Sequence, residues 1–332
     1  MKAFAIDKYG NTPLKLMTFP MPTVGEHDVM VEIYAASVNP VDFKLRDGKV
    51  KVLLQYDMPL IMGNDCAGVV TQVGSKVTRF KIGDEIYARA PKARIGTFAE
   101  YIAITEDAVA LKPKNTSFEE AASIPLVGLT SYQVLHDVMN LKSGEKILIQ
   151  AGAGGIGTFA IQLAKALGAF VATTASDAGF ELVKSLGADK VINYKTEKFE
   201  DMLQDYDAVY DTLGGESLEK AFEIIKSGGN VISVSGVPNA RFAREGNLGL
   251  LKTFLFSVLT WKITKLEKLH NAAYTFHFMS DSGKQLEIIG KLIEEGVIKP
   301  VIDKVFSFPE TQDALNYSES GRAKGKVVIK LK

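Results

Sequence analysis

Three glycines carry the first recognisable chemistry in the chain. Gly152, Gly154 and Gly157 fit the spacing G-x-G-x-x-G, whose glycines permit a tight turn, let the backbone approach a pyrophosphate and allow the next helix to pack closely on the sheet. Ala153, Gly155 and Ile156 complete the loop. Amides at the start of a helix lack intrahelical partners and favour an anionic ligand. The same spacing also occurs in glycine-rich turns that merely join a strand to a helix, so the flanking elements decide between the two. Before the loop stands the apolar run Ile147-Leu148-Ile149, too short for a helix and typical of a buried parallel strand. After it, Ile161, Leu163, Ala164 and Leu167 recur at helical spacing, and Gly168 supplies a stop. A second apolar strand, residues 170–175, closes a βαβ unit of about thirty residues. The loop is therefore expected to hold a dinucleotide.

The length of 332 residues suggests about two domains, and 46% hydrophobic content is ample for packed cores. Thirty-nine basic residues balance thirty-nine acidic ones, which argues against nucleic acid as the main partner. Cys66 is the only cysteine. It rules out a disulfide framework and a multi-cysteine zinc site, fits a reducing compartment, and reads as a small apolar residue in a strand. Residues 1–7 read as a strand rather than a secretion signal, so a cytoplasmic protein is expected.

Short strands at 29–35, 67–73, 85–90 and 98–104, separated by glycine turns, suggest an antiparallel β domain. Ser117-Phe118-Glu119-Glu120 has the form of a capping box and opens a helical stretch to Leu141. Beyond residue 175, strands at 190–194, 207–212 and 231–234 alternate with helices at 178–186 and 218–225. That alternation predicts an α/β fold with a doubly wound parallel sheet. The segment 247–270 is apolar but broken by Lys252, Lys262, Lys265 and Lys268. A membrane span needs about twenty predominantly apolar residues, so none is expected here. The segment reads as a flap over a cleft or a subunit contact, with an amphipathic surface anchor as the alternative. The last stretch, helix 283–295, strand 301–306, helix 309–320 and strand 326–331, extends the nucleotide sheet or returns to the first domain.

Ordered motifs favour the return. Ala36-Ser37-Val38-Asn39-Pro40-Val41-Asp42, the segment 63–74, Phe80-Lys81-Ile82-Gly83-Asp84, Gly96-Thr97-Phe98-Ala99-Glu100-Tyr101, the glycine loop and residues 321–328 occur in the order found in medium-chain dehydrogenases and reductases. Over nearly its whole length the chain resembles the zinc-independent branch of quinone oxidoreductases and enone reductases. The resemblance implies a GroES-like antiparallel β catalytic domain built from residues 1–120 and 263–332, and a Rossmann domain from 121–262. Zinc alcohol dehydrogenases carry Gly-His-Glu where this chain has Gly63-Asn64-Asp65, and they carry cysteine ligands that are absent here. No metal is expected. The implied activity is NADPH-dependent hydride delivery to the C=C bond of α,β-unsaturated ketones or aldehydes, with NADPH:quinone oxidoreduction as the alternative. A nucleotide-binding module with little turnover is the alternative from another class.

The resemblance also assigns roles. Asn39 and Asp42 match an Asn-x-x-Asp segment beside the nicotinamide, where Asn39 would hydrogen-bond substrate or cofactor. Asp42 is otherwise a turn or cap residue. Lys44 stands where related quinone reductases carry tyrosine, and its ammonium would stabilise an enolate-like oxygen unless it is a solvated loop lysine. Thr130 matches a position facing the nicotinamide, with a core threonine as the rival reading. His136 on the same helix reads as structural. At the end of the second strand a small hydroxyl residue leaves room for a 2′-phosphate, whereas an acid would bind a free ribose. Alignment with the family puts Ser176 there and makes Asp177 a helix cap, Asp177 being the reader if NADH is preferred. Tyr194 and Arg322 match 2′-phosphate contacts, so NADPH is the expected cofactor. The partners implied are a small hydrophobic carbonyl or quinone substrate and a second copy in a homodimer, joined along a sheet edge at Val231–Val234.

Overall fold

The computed structural model describes residues 1–332. They form two compact units, Met1–Leu129 with Ser280–Lys332, and Thr130–Met279. In chain order the first unit contributes β1 (Lys2–Ile6), β2 (Lys15–Thr18), β3 (Asp28–Val38), α1 (Pro40–Arg46), β4 (Leu60–Ile61), β5 (Asp65–Val73), β6 (Glu85–Arg89), β7 (Tyr101–Thr105), β8 (Val109–Leu111) and α2 (Phe118–Ala122). The boundary falls within α3 (Pro125–Tyr132). The second unit holds β9 (Lys146–Ile149), α4 (Gly155–Ala166), β10 (Phe170–Ala175), α5 (Asp177–Ser185), β11 (Lys190–Asn193), α6 (Phe199–Met202), β12 (Tyr206–Asp211), α7 (Gly215–Ile224), β13 (Ile225–Ser233), α8 (Ala240–Glu245), α9 (Leu250–Leu259), α10 (Trp261–His270) and β14 (Ala273–Phe276). The chain ends in α11 (Gly283–Glu294), β15 (Ile302–Ser307), α12 (Thr311–Glu319) and β16 (Lys326–Lys330).

In the first unit, one sheet runs β15-β16-β3-β5-β6-β8 with β7 also paired to β3, and a smaller one runs β2-β1-β4. All pairings are antiparallel except β15 with β16. The C-terminal segment therefore belongs to the first unit. Val29, Val31 and Ile33 of β3 pack with Val70, Ile86, Ile102 and Ile104 from neighbouring strands as one buried cluster, each strand giving alternate residues to it. The register also brings polar residues into line. Ser37 lies opposite Asp65, and Asp65 lies opposite Arg89, so three polar residues from three strands share one row of the sheet.

The second unit is a six-stranded parallel sheet in the order β11-β10-β9-β12-β13-β14, the doubly wound order with its switch point between β9 and β12. Ile147, Leu148 and Ile149 of β9 are fully buried, which is why their run lacks alternation. Two expectations are corrected here. The second unit extends past residue 262 to Met279 and begins at Thr130, not 121, because β14 completes its sheet against β13. Residues 231–233 are also not an edge, since β13 is covered by β12 on one side and β14 on the other. The apolar segment forms two helices, divided at the buried Thr260, whose hydroxyl donates to the Phe256 carbonyl at 2.6 Å.

Candidate active site

The glycine loop is built by the strand order. The Ala151 N–H donates to Thr174 Oγ1 and the Gly152 N–H to the Thr174 carbonyl, both at 2.9 Å, so the chain leaving β9 is tied to the end of β10. It then turns tightly, with Ala151 at φ +52° and the Gly154 N–H donating to the Ala151 carbonyl at 2.9 Å. A Cβ at Gly157 would lie 2.5 Å from that same carbonyl oxygen, and one at Gly152 would lie 2.0 Å from Thr173 Oγ1. Neither position has room for a side chain. The first hydrogen bond of α4 runs from the Thr158 N–H to the Gly154 carbonyl, leaving the N–H groups of Gly155, Ile156 and Gly157 without intrahelical acceptors. This end fits the pyrophosphate of a dinucleotide.

At the carboxyl end of the same sheet, Ala175 pairs with Asn193, and the Tyr194 N–H donates to the Ala175 carbonyl at 3.3 Å. Ser176 and Tyr194 are therefore neighbours, Ser176 buried and the Tyr194 ring exposed. Ser176, not Asp177, is the N-cap of α5. Asp177 is the first helical residue, and its carboxylate accepts from Asn193 Nδ2 at 2.7 Å. The expected cap is thus displaced by one residue. Thr130 is buried in α3. His136 is exposed, stacked on Tyr132 with ring centroids 4.7 Å apart and 2.8 Å from Asp137. Arg322 belongs to the first unit, exposed between α12 and β16.

Asn39, Asp42 and Lys44 come from α1 and its N-cap. Asp42 is the third residue of the helix, and its Oδ2 accepts the Asn39 backbone N–H at 2.7 Å, so the cap reading is part of its role. Its Oδ1 accepts from Asn64 Nδ2, also at 2.7 Å. The Asn39 side chain is engaged on both sides. Its Nδ2 donates to Asp65 Oδ2 at 2.8 Å and its Oδ1 accepts from Lys326 Nζ at 2.5 Å. Asn39 lies fully buried within a polar network. Lys44 is half-buried near the end of α1.

That network is the part of the site the sequence did not announce. Asp65 accepts from Ser37 Oγ at 3.0 Å, from Asn39, and from the Leu126 N–H at the start of α3 at 3.0 Å, with Lys326 Nζ 3.9 Å away. Lys326 also donates to the Val38 carbonyl at 3.0 Å. Arg89 closes the row, donating to Asn64 Oδ1 at 3.0 Å and to the Ala90 carbonyl at 2.5 Å. Burial pushes the Asp65 carboxyl up and the Lys326 ammonium down, while each pulls the other back toward its charged form. Burial also raises the Asp42 carboxyl to about 7, opposed by its two hydrogen bonds. Lys92 is a second amine shifted down, to about 8, by burial and by Arg89. The available signal was a lysine and an arginine adjoining apolar strand residues, Lys326 before Val327, Val328 and Ile329 in β16 and Arg89 after Ile86, Tyr87 and Ala88 in β6. Cys66 is buried, and burial raises its thiol, as a core residue requires.

A GroES-like β unit in one chain with a doubly wound sheet and a glycine loop defines a nucleotide-dependent oxidoreductase. Residues 25–114 match the alcohol dehydrogenase GroES-like domain, and residues 186–329 match the zinc-binding dehydrogenase family. The chain is 41% identical to 2-methylene-furan-3-one reductase of Solanum lycopersicum, over 99% of this chain and 79% of that one. It is 37% identical, with the same coverages, to the chloroplastic NADPH-dependent alkenal/one oxidoreductase of Arabidopsis thaliana. Among solved structures, the quinone oxidoreductase from Coxiella burnetii superposes with a TM-score of 0.84 at 31% identity, over 100% of this chain and 99% of that one. The chain belongs to the medium-chain dehydrogenase/reductase superfamily and is an NADPH-dependent oxidoreductase.

Proposed function

We propose that the protein reduces the C=C bond of α,β-unsaturated ketones or aldehydes with NADPH and without zinc. The observation that carries this reading is the charge balance around Asp65. Where zinc alcohol dehydrogenases have Gly-His-Glu, this chain has Gly63-Asn64-Asp65, and Asp65 is matched by the buried Lys326 ammonium. No thiolate or imidazole converges there, and an ammonium repels a divalent ion, so the donor set does not fit zinc. Without a Lewis acid to activate an alkoxide, the acceptor must already be electrophilic, as a conjugated carbonyl or a quinone is. The two plant relatives, named for furanone and alkenal/one substrates, favour the conjugated carbonyl.

Bound NADPH supplies the hydride. The amides of Gly155, Ile156 and Gly157 would hold its pyrophosphate, with Gly152, Ala153 and Gly154 shaping the turn. Ser176 and Tyr194, at the carboxyl end of the sheet, would receive the 2′-phosphate; for Arg322 a phosphate contact is implied by the resemblance alone. Lys44 is assigned to polarise the acceptor oxygen as negative charge develops on it. Asn39 and Asp42 act as positioning residues, since both are buried in the network that fixes the N-terminus of α1. Thr130 is assigned to the nicotinamide end. The proton for the α-carbon comes from solvent. A lone buried thiol supports a reducing, cytoplasmic setting. A homodimer, as the resemblance implies, would use one of the true sheet edges, β11 or β14.

The test follows NADPH absorbance with a simple enone, a 2-alkenal, a saturated aldehyde and a quinone. Oxidation with the first two, product reduced at C=C, and none with the saturated aldehyde is expected. Turnover with the quinone alone would replace this reading by quinone reduction, and NADPH binding without oxidation by any acceptor would make the protein a nucleotide-binding module.

A further inference from the structure

The helices α9 and α10 leave a broad apolar face uncovered. Phe256, Thr260 and Ile263 point inward and are buried. On the outer side, Leu250, Leu251, Phe254, Leu255, Val258 and Leu259 recur at i, i+1, i+4, i+5, i+8 and i+9, one stripe of a helix. Leu250 is 89% exposed, Leu251 82% and Phe254 68%. A contiguous apolar surface of this kind marks an interaction site.

Its charge says what kind. Over residues 248–266 every charged residue is a lysine: Lys252, Lys262 and Lys265, with Lys268 in the next turn; Lys262 is paired with Glu219 of α7 at 2.5 Å. Trp261 follows the stripe directly, 60% exposed, with the Lys265 ammonium 3.7 Å above its ring. Glu267, the acid that follows, is turned inward, its carboxylate accepting the Tyr274 N–H at 2.8 Å. Apolar residues on one side, lysines at the rim and a tryptophan at the junction are what a helix needs to lie in the headgroup plane of a bilayer. Lysines add attraction where the lipids are anionic. Neither helix is long enough to span, each having ten residues. A second copy fits less well, because twofold pairing applies the same lysine-rimmed face to itself and brings like charges together. We propose that α9 and α10 form a docking surface for an anionic membrane.

Trp261 is the only tryptophan, so selectively excited tryptophan emission reports on this face alone. The full chain is mixed with vesicles of phosphatidylcholine, with and without phosphatidylglycerol, and recovered by flotation. Flotation with the anionic vesicles only, a blue shift of the emission, and weakening as salt is raised are expected. Leu251→Glu with Phe254→Glu should lower vesicle binding at least about tenfold. Both side chains being exposed, its thermal midpoint and NADPH binding should match the parent. Absence of flotation with anionic vesicles, or equal flotation with neutral ones, overturns the proposal. So does sedimentation showing a dimer that this double variant converts to monomer, which would assign the face to a second copy.

Discussion

Replacing Lys326 by methionine keeps most of the side-chain volume and removes the ammonium. The buried amine donates to the Val38 carbonyl at 3.0 Å and to Asn39 Oδ1 at 2.5 Å, and it lies 3.9 Å from Asp65 Oδ2. Breaking a buried pair from one side costs about 3–5 kcal/mol, because the remaining charge is left without compensation. Here the lower end applies. Asp65 keeps its donors Ser37, Asn39 and Leu126, and Arg89 still favours its ionised form. With an unfolding entropy of about 2.1 cal/mol/K per residue over a unit of roughly 180 residues, a loss of about 3 kcal/mol lowers the midpoint by about 8 °C. Differential scanning calorimetry and urea titration measure it. The double variant Lys326→Met with Asp65→Asn removes both charges and should be less destabilised than the two single effects added together, by about 1–2 kcal/mol. A single variant within about 0.5 kcal/mol of the parent, or strict additivity in the cycle, would refute the assignment of Lys326 as the counter-charge.

Three further outcomes are expected. Ser176→Asp places a carboxylate where the 2′-phosphate is assigned and should lower the ratio of kcat/KM for NADPH over NADH at least about tenfold; an unchanged ratio moves the reader elsewhere, Asp177 first. Lys44→Met should lower kcat for the conjugated carbonyl about a hundredfold while NADPH binding, followed by cofactor fluorescence, stays the same; unchanged turnover removes Lys44 from the chemistry. Asp42 has a folded pKa raised by burial from 3.8 to about 7, so the folded chain holds a proton there that the unfolded chain releases. Its contribution to stability is full below about pH 4 and is lost as pH rises through about 7. Urea midpoints between those limits should therefore fall with rising pH, and Asp42→Asn should flatten that slope without abolishing it, because Asp65 is shifted in the same direction. A variant profile parallel to the parent assigns the dependence to another group.

The parts of the molecule legible in the sequence are those made by neighbours in the chain. The glycine loop, the strand 170–175 and the Ser117–Glu120 capping box depend on spacings of a few residues, and the structure has each where those spacings put it. The displaced cap at Ser176 shows the resolution of such reading, since a strand end and a helix start separated by one residue leave no pattern to fix which is which. The edge assigned to 231–234 failed for a different reason. Strand order is a property of pairing, and β14, read as part of the first domain's return, is the strand that covers β13.

The polar network was illegible because it has no local spacing at all. Ser37, Asp65 and Arg89 meet through the register of β3, β5 and β6, and Lys326 arrives from the far end of the chain on β16, which pairs with β3. The motif containing Asn39 and Asp42 gave no sign of their protein neighbours, both side chains being engaged by Asn64, Asp65, Lys326 and the cap of α1. The consequence concerns chemistry as well as packing. Two buried carboxyl groups, Asp42 and Asp65, lie among two buried basic groups, Lys326 and Arg89, and on the proposed reading these basic groups stand where zinc enzymes of this superfamily hold a metal. On the same reading, cations standing against these carboxylates offer a divalent ion little attraction, and the electrophile is drawn from the substrate.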